Sequence, residues 1–302
     1  MRLTRRQILA MTAAAAAMPG RTLAETTTAT PSGAQSANVR LAVIDWGLFE
    51  TCLAIGLVPA AATELKQFRE IAIEPSPPAS VVDLGLRGTP NIELLRLLAP
   101  DAILISGFYE YQRAKLERIA PVIALPIYEA GKPPYPLAEY STRALGERFG
   151  RAAEAEAYVQ STATEIAALA QRLKPMTSRP MFAISLGDSR HFRAFGADSM
   201  FGDVMARLGF ANAWTDPTSY SAAAPVGIEA LARTPDASIA VVGPIPPEVR
   251  RTLADNALWN ALPAVREGRV AELEPINHFG ALPSALRFAR LLADGFGASN
   301  AL

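Results

Sequence analysis

Apolar positions alternate between strand-like runs and helix-spaced stretches along most of the chain. Val39–Asp45 is a short apolar run that predicts a strand, and Trp46–Gly56 carries helical spacing that stops at a glycine. After the Pro75–Pro78 loop, Val81–Gly85 predicts a strand that feeds the loop Arg87–Pro90. Asn91 stands as an N-cap before the helix Ile92–Leu98, with Glu93 in the first turn where the helix dipole favours an anion. Ala102–Ser106, the turn Gly107–Tyr109, the helix Lys115–Ile119 and the strand Val122–Leu125 continue the alternation. Strands alternating with helices predict a mostly parallel sheet covered on both faces.

A helical stretch then runs from Leu137 to Lys174, broken near Gly150 and closed by Pro175. Its second part, Ala152–Leu173, repeats apolar residues at helical spacing and would reach about 30 Å. That length suits a single rigid bridge, and predicts little movement between the parts it joins. Beyond it, Met181–Leu186 predicts a strand and Phe201–Leu208 a helix, followed by the Asn212–Pro225 loop. Ile228–Thr234 predicts a helix and Ser238–Val242 a strand. A strand near Arg269–Glu272, the loop Pro275–Gly280 and a closing helix Pro283–Ala293 complete the pattern.

Two segments of the first half recur in the second, in the same order. Ile92–Ile103 reads I-E-L-L-R-L-L-A-P-D-A-I, and Ile228–Ile239 reads I-E-A-L-A-R-T-P-D-A-S-I, one residue shorter before the proline. Phe49–Leu57 is echoed by Phe201–Phe210 with a similar slip. The pattern predicts two related Rossmann-like α/β lobes joined by one long helix, with a cleft between them. The expected organisation is residues 1–24 as an export signal, 25–38 as a flexible leader, 39–136 as the first lobe, 137–175 as the helical linker and 176–302 as the second lobe.

The signal expectation rests on Thr4-Arg5-Arg6-Gln7-Ile8-Leu9, a mild apolar run to Met18, a Pro19-Gly20 break and small residues to Ala24. Paired arginines of this kind form a twin-arginine address for export to a bacterial periplasm. The apolar run is too short to span a bilayer core of roughly 30 Å. The chain has 29 basic and 29 acidic side chains, and four of those arginines but no acid fall within 1–24. The exported chain is therefore mildly acidic, which argues against a nucleic-acid partner. The single cysteine, Cys52, lies inside an apolar pattern and reads as a small buried hydrophobe with no disulfide partner.

Two histidines and one cysteine, without H-E-x-x-H or C-x-x-C spacing, leave little from which to build a metal site. No G-x-S-x-G, P-loop or G-x-G-x-x-G occurs, so the chain reads as a binder and not an enzyme. In open α/β sheets, ligands meet the loops at the carboxyl ends of strands. Those loops carry Trp46, Arg87, Tyr109, Arg193, the Trp214–Ser221 segment with Tyr220, and Asn277-His278-Phe279. Aromatic walls with two guanidinium groups suit a partly apolar ligand that bears anionic oxygens.

V-V-D-L-G-L-R-G-T-P-N-I-E-L-L (Val81–Leu95), W-x-x-x-E-x-x-L-A-I-G (Trp46–Gly56), S-R-H-F-R-A-F-G (Ser189–Gly196), A-N-A-W (Ala211–Trp214) and L-W-N-A-L-P-A-V-R-E-G-R (Leu258–Arg269) resemble the periplasmic ferric-hydroxamate (ferrichrome-type) siderophore-binding proteins of ABC iron importers. The resemblance implies the bilobal iron-chelate class of fold, with one bridging helix and a shallow cleft. It implies that Arg87 and Tyr109 hydrogen-bond hydroxamate oxygens that already hold Fe(III), so that the protein needs no cofactor and never touches the metal. It further implies that Trp46 lines an apolar wall, and that Glu93 and Glu229 dock one lobe each onto the permease. Such proteins act as monomers. The sequence departs from the family at Tyr220-Ser221, where a cleft tryptophan is expected, at Asn277-His278-Phe279 and at Arg193. These changes make the pocket more polar. A receptor for haem or a corrinoid, and an exported hydrolase acting on such chelates, are the other readings.

Overall fold

The computed structural model describes residues 39–216, 218 and 225–297, so the expected signal, the leader and Tyr220 lie outside the described residues. The first half forms β1 (Leu41–Val43), α1 (Trp46–Ala54), β2 (Ala61–Ala62), α2 (Leu65–Ile71), β3 (Val82–Asp83), α3 (Ile92–Leu98), β4 (Ala102–Ile105), a 3-10 segment at Gly107–Gln112, α4 (Arg113–Leu116) and β5 (Val122–Ala124). Two helices follow, α5 (Pro134–Arg148) and α6 (Ala152–Leu173). The second half comprises β6 (Met181–Leu186), β7 (His191–Ala194), α7 (Met200–Arg207), β8 (Val226–Gly227), a 3-10 segment at Ile228–Arg233, β9 (Ser238–Gly243), α8 (Pro247–Ala254), α9 (Ala257–Ala261), α10 (Pro263–Arg266), β10 (Val270–Pro275) and α11 (Leu282–Gly297). Among the described residues no helix is long and apolar enough to cross a membrane.

Local signals set several boundaries. Asp45 and Asn91 cap α1 and α3, their side-chain oxygens accepting from Leu48 N at 2.9 Å and Leu94 N at 3.0 Å. Gly150, at φ +68°, breaks the helical stretch into α5 and α6.

The strands form two five-stranded sheets, ordered β3-β2-β1-β4-β5 and β10-β9-β6-β7-β8. Laid over one another, β1 matches β6, β4 matches β9 and β5 matches β10, so the echo of Ile92–Ile103 in Ile228–Ile239 falls at equivalent places, whereas the other echo does not, since α1 follows β1 and α7 follows β7. The duplication is not exact, because β7 returns from β6 as a hairpin and pairs antiparallel with both neighbours, whereas β2 pairs parallel. The expected helix at Ile228–Thr234 is a 3-10 segment. Six residues at about 2.0 Å rise span about what the seven of α3 span at 1.5 Å, which absorbs the missing residue of the echo.

Each central strand sends alternate side chains to opposite faces. Leu41 and Val43 of β1, and Met181 and Ala183 of β6, enter one continuous core with α1, α5, α6, α7 and α11. Ala42 and Ile44 face a separate layer over the first sheet, and Phe182 and Ile184 one over the second. The largest core is therefore shared by the two lobes, and each sheet carries a smaller apolar layer of its own. Cys52 is fully buried in it.

The lobes are also joined by a buried carboxylate. Glu50 of α1 accepts from Ala281 N at 2.6 Å, Ser284 N at 3.2 Å, Ser284 Oγ at 2.9 Å and Asn277 Nδ2 at 3.3 Å, at the start of α11. Burial pushes its pKa from 4.5 up to about 7 in spite of those donors. Farther along, Arg290 of α11 meets both oxygens of Glu165 on α6 at 2.6 and 2.8 Å.

The native state keeps the Glu50 proton up to about pH 7, whereas an exposed glutamate loses it near 4.5, so this group's contribution to stability declines as pH rises between those values. His278, pulled down to about 4, acts in the opposite direction between pH 4 and 6.5. The measurable quantity is thus the stability difference between the natural protein and Glu50→Gln, which should move by about 3 kcal/mol in favour of Glu50→Gln between pH 4.5 and 7.5 in urea titrations.

Candidate functional site

The first sheet is parallel throughout, so its strands end along one edge, and the loops leaving β1, β2, β3 and β4 meet there. Strand order reverses between β1 and β4, the place where open α/β sheets form a crevice. Ser106, after β4, donates to Asp45 Oδ2 after β1 at 2.7 Å and closes the floor of that crevice. Burial raises the Asp45 carboxyl pKa, against the Ser106 and Leu48 hydrogen bonds and the nearby Arg87 charge.

Arg87, after β3, is held on four sides. Its Nε lies 2.7 Å from Glu64 Oε2, and its backbone N donates to Glu64 Oε1 at 3.0 Å. Its carbonyl accepts from Gln112 Nε2 at 2.9 Å, and its guanidinium carbon sits 3.9 Å from the centre of the Trp46 ring system. Glu64 takes the left-handed backbone region at φ 51° and ψ 43°, just before α2. Both terminal nitrogens of Arg87 remain without a partner among the described residues. Tyr109 is half-buried nearby, and its hydroxyl too has no partner among the described residues. Burial, reinforced by the Asp45 and Glu64 charges, pushes its phenol pKa well up and keeps it a neutral donor.

Trp46 does not form an open apolar wall. It is 3% exposed, its indole N–H donates to Thr63 O at 2.9 Å, its edge meets Phe68 at 5.3 Å, and Arg87 covers its face. It is the platform on which the guanidinium rests.

The second lobe contributes the Ile276–Gly280 loop. Tyr128, after β5, donates to Gly280 O at 2.8 Å, and the rings of Phe108, Tyr128 and Phe279 lie 5.7 to 6.3 Å apart across the lobes. Phe279, at 39% exposure, is the aromatic face left open there. Asn277 is buried, with its amide nitrogen directed to Glu50 and its oxygen accepting from Phe279 N at 3.2 Å, so it braces the loop instead of facing a ligand. The His278 ring packs edge-on against Phe195 and Phe201 at 5.0 and 6.0 Å. Burial pulls its pKa down to about 4, and the Arg193 charge acts in the same direction. Arg193 itself is exposed in β7, opposite Ser185, with no ion pair among the described residues. Among the described residues no group of His, Cys, Asp and Glu could hold a metal ion.

Glu93 and Glu229 lie outside this crevice, each in the first turn after the edge strand of its sheet, β3 or β8. Glu93 is 82% exposed at its side chain, and Leu97, one turn on, is 83% exposed. Glu229 rims a groove of about 420 Å³ shared with Arg190, His191 and Leu258, the last 59% exposed. The glutamates thus have matching positions, each beside a solvent-facing leucine.

Glu64, Gln112, Phe108 and Tyr128 were not among the residues expected from sequence. Their partners lie far along the chain, and only the alternation of strand ends could have pointed to them.

The family described as periplasmic binding protein matches residues 41–276. The iron(3+)-hydroxamate-binding protein FhuD of Escherichia coli (strain K12) is 30% identical over 258 residues, covering 85% of this chain and 87% of that protein. The crystal structure of Fe3+–Desferal-bound siderophore-binding protein FhuD from Vibrio cholerae has a TM-score of 0.81 at 25% identity, covering 86% of this chain and 98% of that one. The periplasmic catecholate-siderophore-binding protein VctP from Vibrio cholerae shares the fold, with a TM-score of 0.65 at 20% identity over 86% of this chain and 93% of its own.

Trp46→Phe removes the donor to Thr63 O and shrinks the platform beneath Arg87. It should cost about 1–3 kcal/mol, measured as a shift in the urea midpoint at unchanged slope.

Proposed function

The chain belongs to the periplasmic binding protein family, and we propose that it captures ferric hydroxamate siderophores and delivers them to an ABC importer in the inner membrane. The observation that carries this reading is the pairing of Arg87 with Tyr109. Two guanidinium nitrogens without a partner among the described residues and a neutral phenol stand at one crevice, and Phe279 offers an aromatic surface across it. Hydroxamate oxygens bound to Fe(III) still carry partial negative charge and accept such donors, while the organic arms of the chelate cover apolar surface. Fe(III) is cargo held by the siderophore. Arg87 and Tyr109 would therefore bind and orient, and no bond is made or broken. Arg193, Tyr220 and His278 complete the proposed lining of the second lobe.

The twin-arginine segment at Arg5-Arg6 fits export to the periplasm, and the protein would work there as a monomer. Glu93 and Glu229 are proposed as permease contacts, one on each lobe, with Leu97 and Leu258 as apolar neighbours. Rim charges of this kind steer encounter and fix register.

Titration of tryptophan fluorescence should show saturable quenching by ferrichrome below about 10 micromolar, with haem and cobalamin inert; absence of a ferrichrome response rejects the reading. Arg87→Ala should weaken ferrichrome by about 2–3 kcal/mol, roughly 30- to 150-fold, through loss of a charge-assisted donor. Glu93→Arg combined with Glu229→Arg should leave that titration unchanged and abolish iron uptake in cells. Normal uptake would remove both residues from the permease contact.

A further inference from the structure

We infer that Glu64 is a specificity-determining residue of the cleft, which orients Arg87 and offsets its charge so that the site favours electrically neutral ferric chelates over anionic ones. The inference rests on the hydroxamate reading above.

The carboxylate grips Arg87 twice, at Nε and at the backbone N, and is itself only 14% exposed. Glu64 is fixed in turn, because its backbone N donates to Gly85 O at 2.9 Å, two residues before Arg87, and Asp83 Oδ2 accepts from Leu65 N at 3.0 Å. With Nε set 2.7 Å from Glu64 Oε2 as an ion pair and the guanidinium carbon 3.9 Å from the centre of the Trp46 ring, the terminal nitrogens are the ones left to meet a ligand. They present two donors in a fixed plane, backed by a carboxylate that cancels the long-range field.

The other charged groups around the crevice do not restore a strong positive field. Asp45 is buried behind Arg87, Tyr109 is neutral, and Glu110 pairs with Arg113 at 2.6 Å. His278 is neutral above its depressed pKa of about 4. Arg193, the other guanidinium in the proposed lining, stands exposed on β7, where solvent screens it.

Chelate chemistry makes this arrangement selective. Three hydroxamate monoanions cancel the charge of Fe(III), and the chelate is neutral. Three catecholate dianions leave a trianion. A lone arginine would attract the trianion most, whereas a paired arginine hydrogen-bonds either chelate and its carboxylate repels the trianion.

Ferrichrome and ferric enterobactin, titrated against the natural protein and Glu64→Gln, test the idea. In Glu64→Gln, ferrichrome affinity should fall about threefold to tenfold as the guanidinium loosens, while ferric enterobactin affinity rises at least about tenfold and becomes more salt-sensitive. A residue that merely supports the fold would lower both. Natural protein that binds the two chelates equally well overturns the inference without recourse to a variant, as does an unchanged affinity ratio in Glu64→Gln. Natural protein that binds neither overturns the hydroxamate reading and this inference with it. Natural protein that binds ferrichrome, with an unchanged ratio in the variant, overturns the inference alone.

Discussion

The hydrogen bonds that Glu50 accepts from the Ala281–Ser284 turn fix the geometry on which both halves of the cleft depend. A carboxylate buried without charge partners is tolerable only where donors surround it, and the buried N–H groups at the start of α11, which have no acceptor within the helix, provide them with the Ser284 hydroxyl. Close approach is needed as well. A Cβ at Gly280 would stand 2.6 Å from Glu50 Oε1 and closer still to Ser284, so glycine is required there. Glu50 lies one turn after Trp46 on the same helix. A single rigid element, α1, therefore carries the platform for Arg87 at its first residue and the anchor for the Ile276–Gly280 loop at its fifth. Movement of one implies movement of the other.

The shared core extends that constraint. Because β1 and β6 each turn one face of their side chains into the same apolar cluster, opening the lobes would expose part of the largest buried surface in the protein. The ion pair of Arg290 with Glu165 ties α11 to the bridging helix at the surface, where such pairs add little energy but limit side-chain positions. If that shared core limits closure, the proposed ligand would be recognised through groups already in place. Arg87 meets that requirement, since Glu64, Gln112 and Trp46 fix its headgroup and backbone before any ligand arrives.

Features governed by neighbours in sequence were legible from the chain alone. Asn91 capping α3, the break at Gly150, the strand Met181–Leu186 and the buried Cys52 follow from propensity and periodicity over a few residues. Arg87 and Tyr109 stand out in sequence for a similar reason, as each lies in the connection a few residues after a strand. What escaped were facts set by distant partners. Trp46 was expected on an open wall, because nothing near it in sequence reveals that Arg87, 41 residues on, covers its face. Asn277 was expected to face a ligand, whereas its partner Glu50 lies 227 residues away. The short helix α2, with Glu64 before it, carries too little periodicity to stand out. The β6–β7 hairpin was not read from the sequence, which placed Arg193 in a loop after a strand, whereas it lies within β7.

The two sheets show where the duplicated halves stayed alike and where they parted. The edge strands β3 and β8 both lead into a segment whose second residue is an exposed glutamate, and the strands after those segments both pair with the first strand of their sheet. Equivalent surface positions on two lobes suit a partner that is itself two-fold, which is why the glutamates fit the proposed permease contact. The halves differ at the second strand. In the parallel case, β2 delivers Glu64 to the carboxyl edge beside Arg87. In the antiparallel case, β7 carries Arg193 in mid-strand, without an acidic partner among the described residues. One reversed strand thus separates a guanidinium paired with a carboxylate from one that has no ion pair among the described residues.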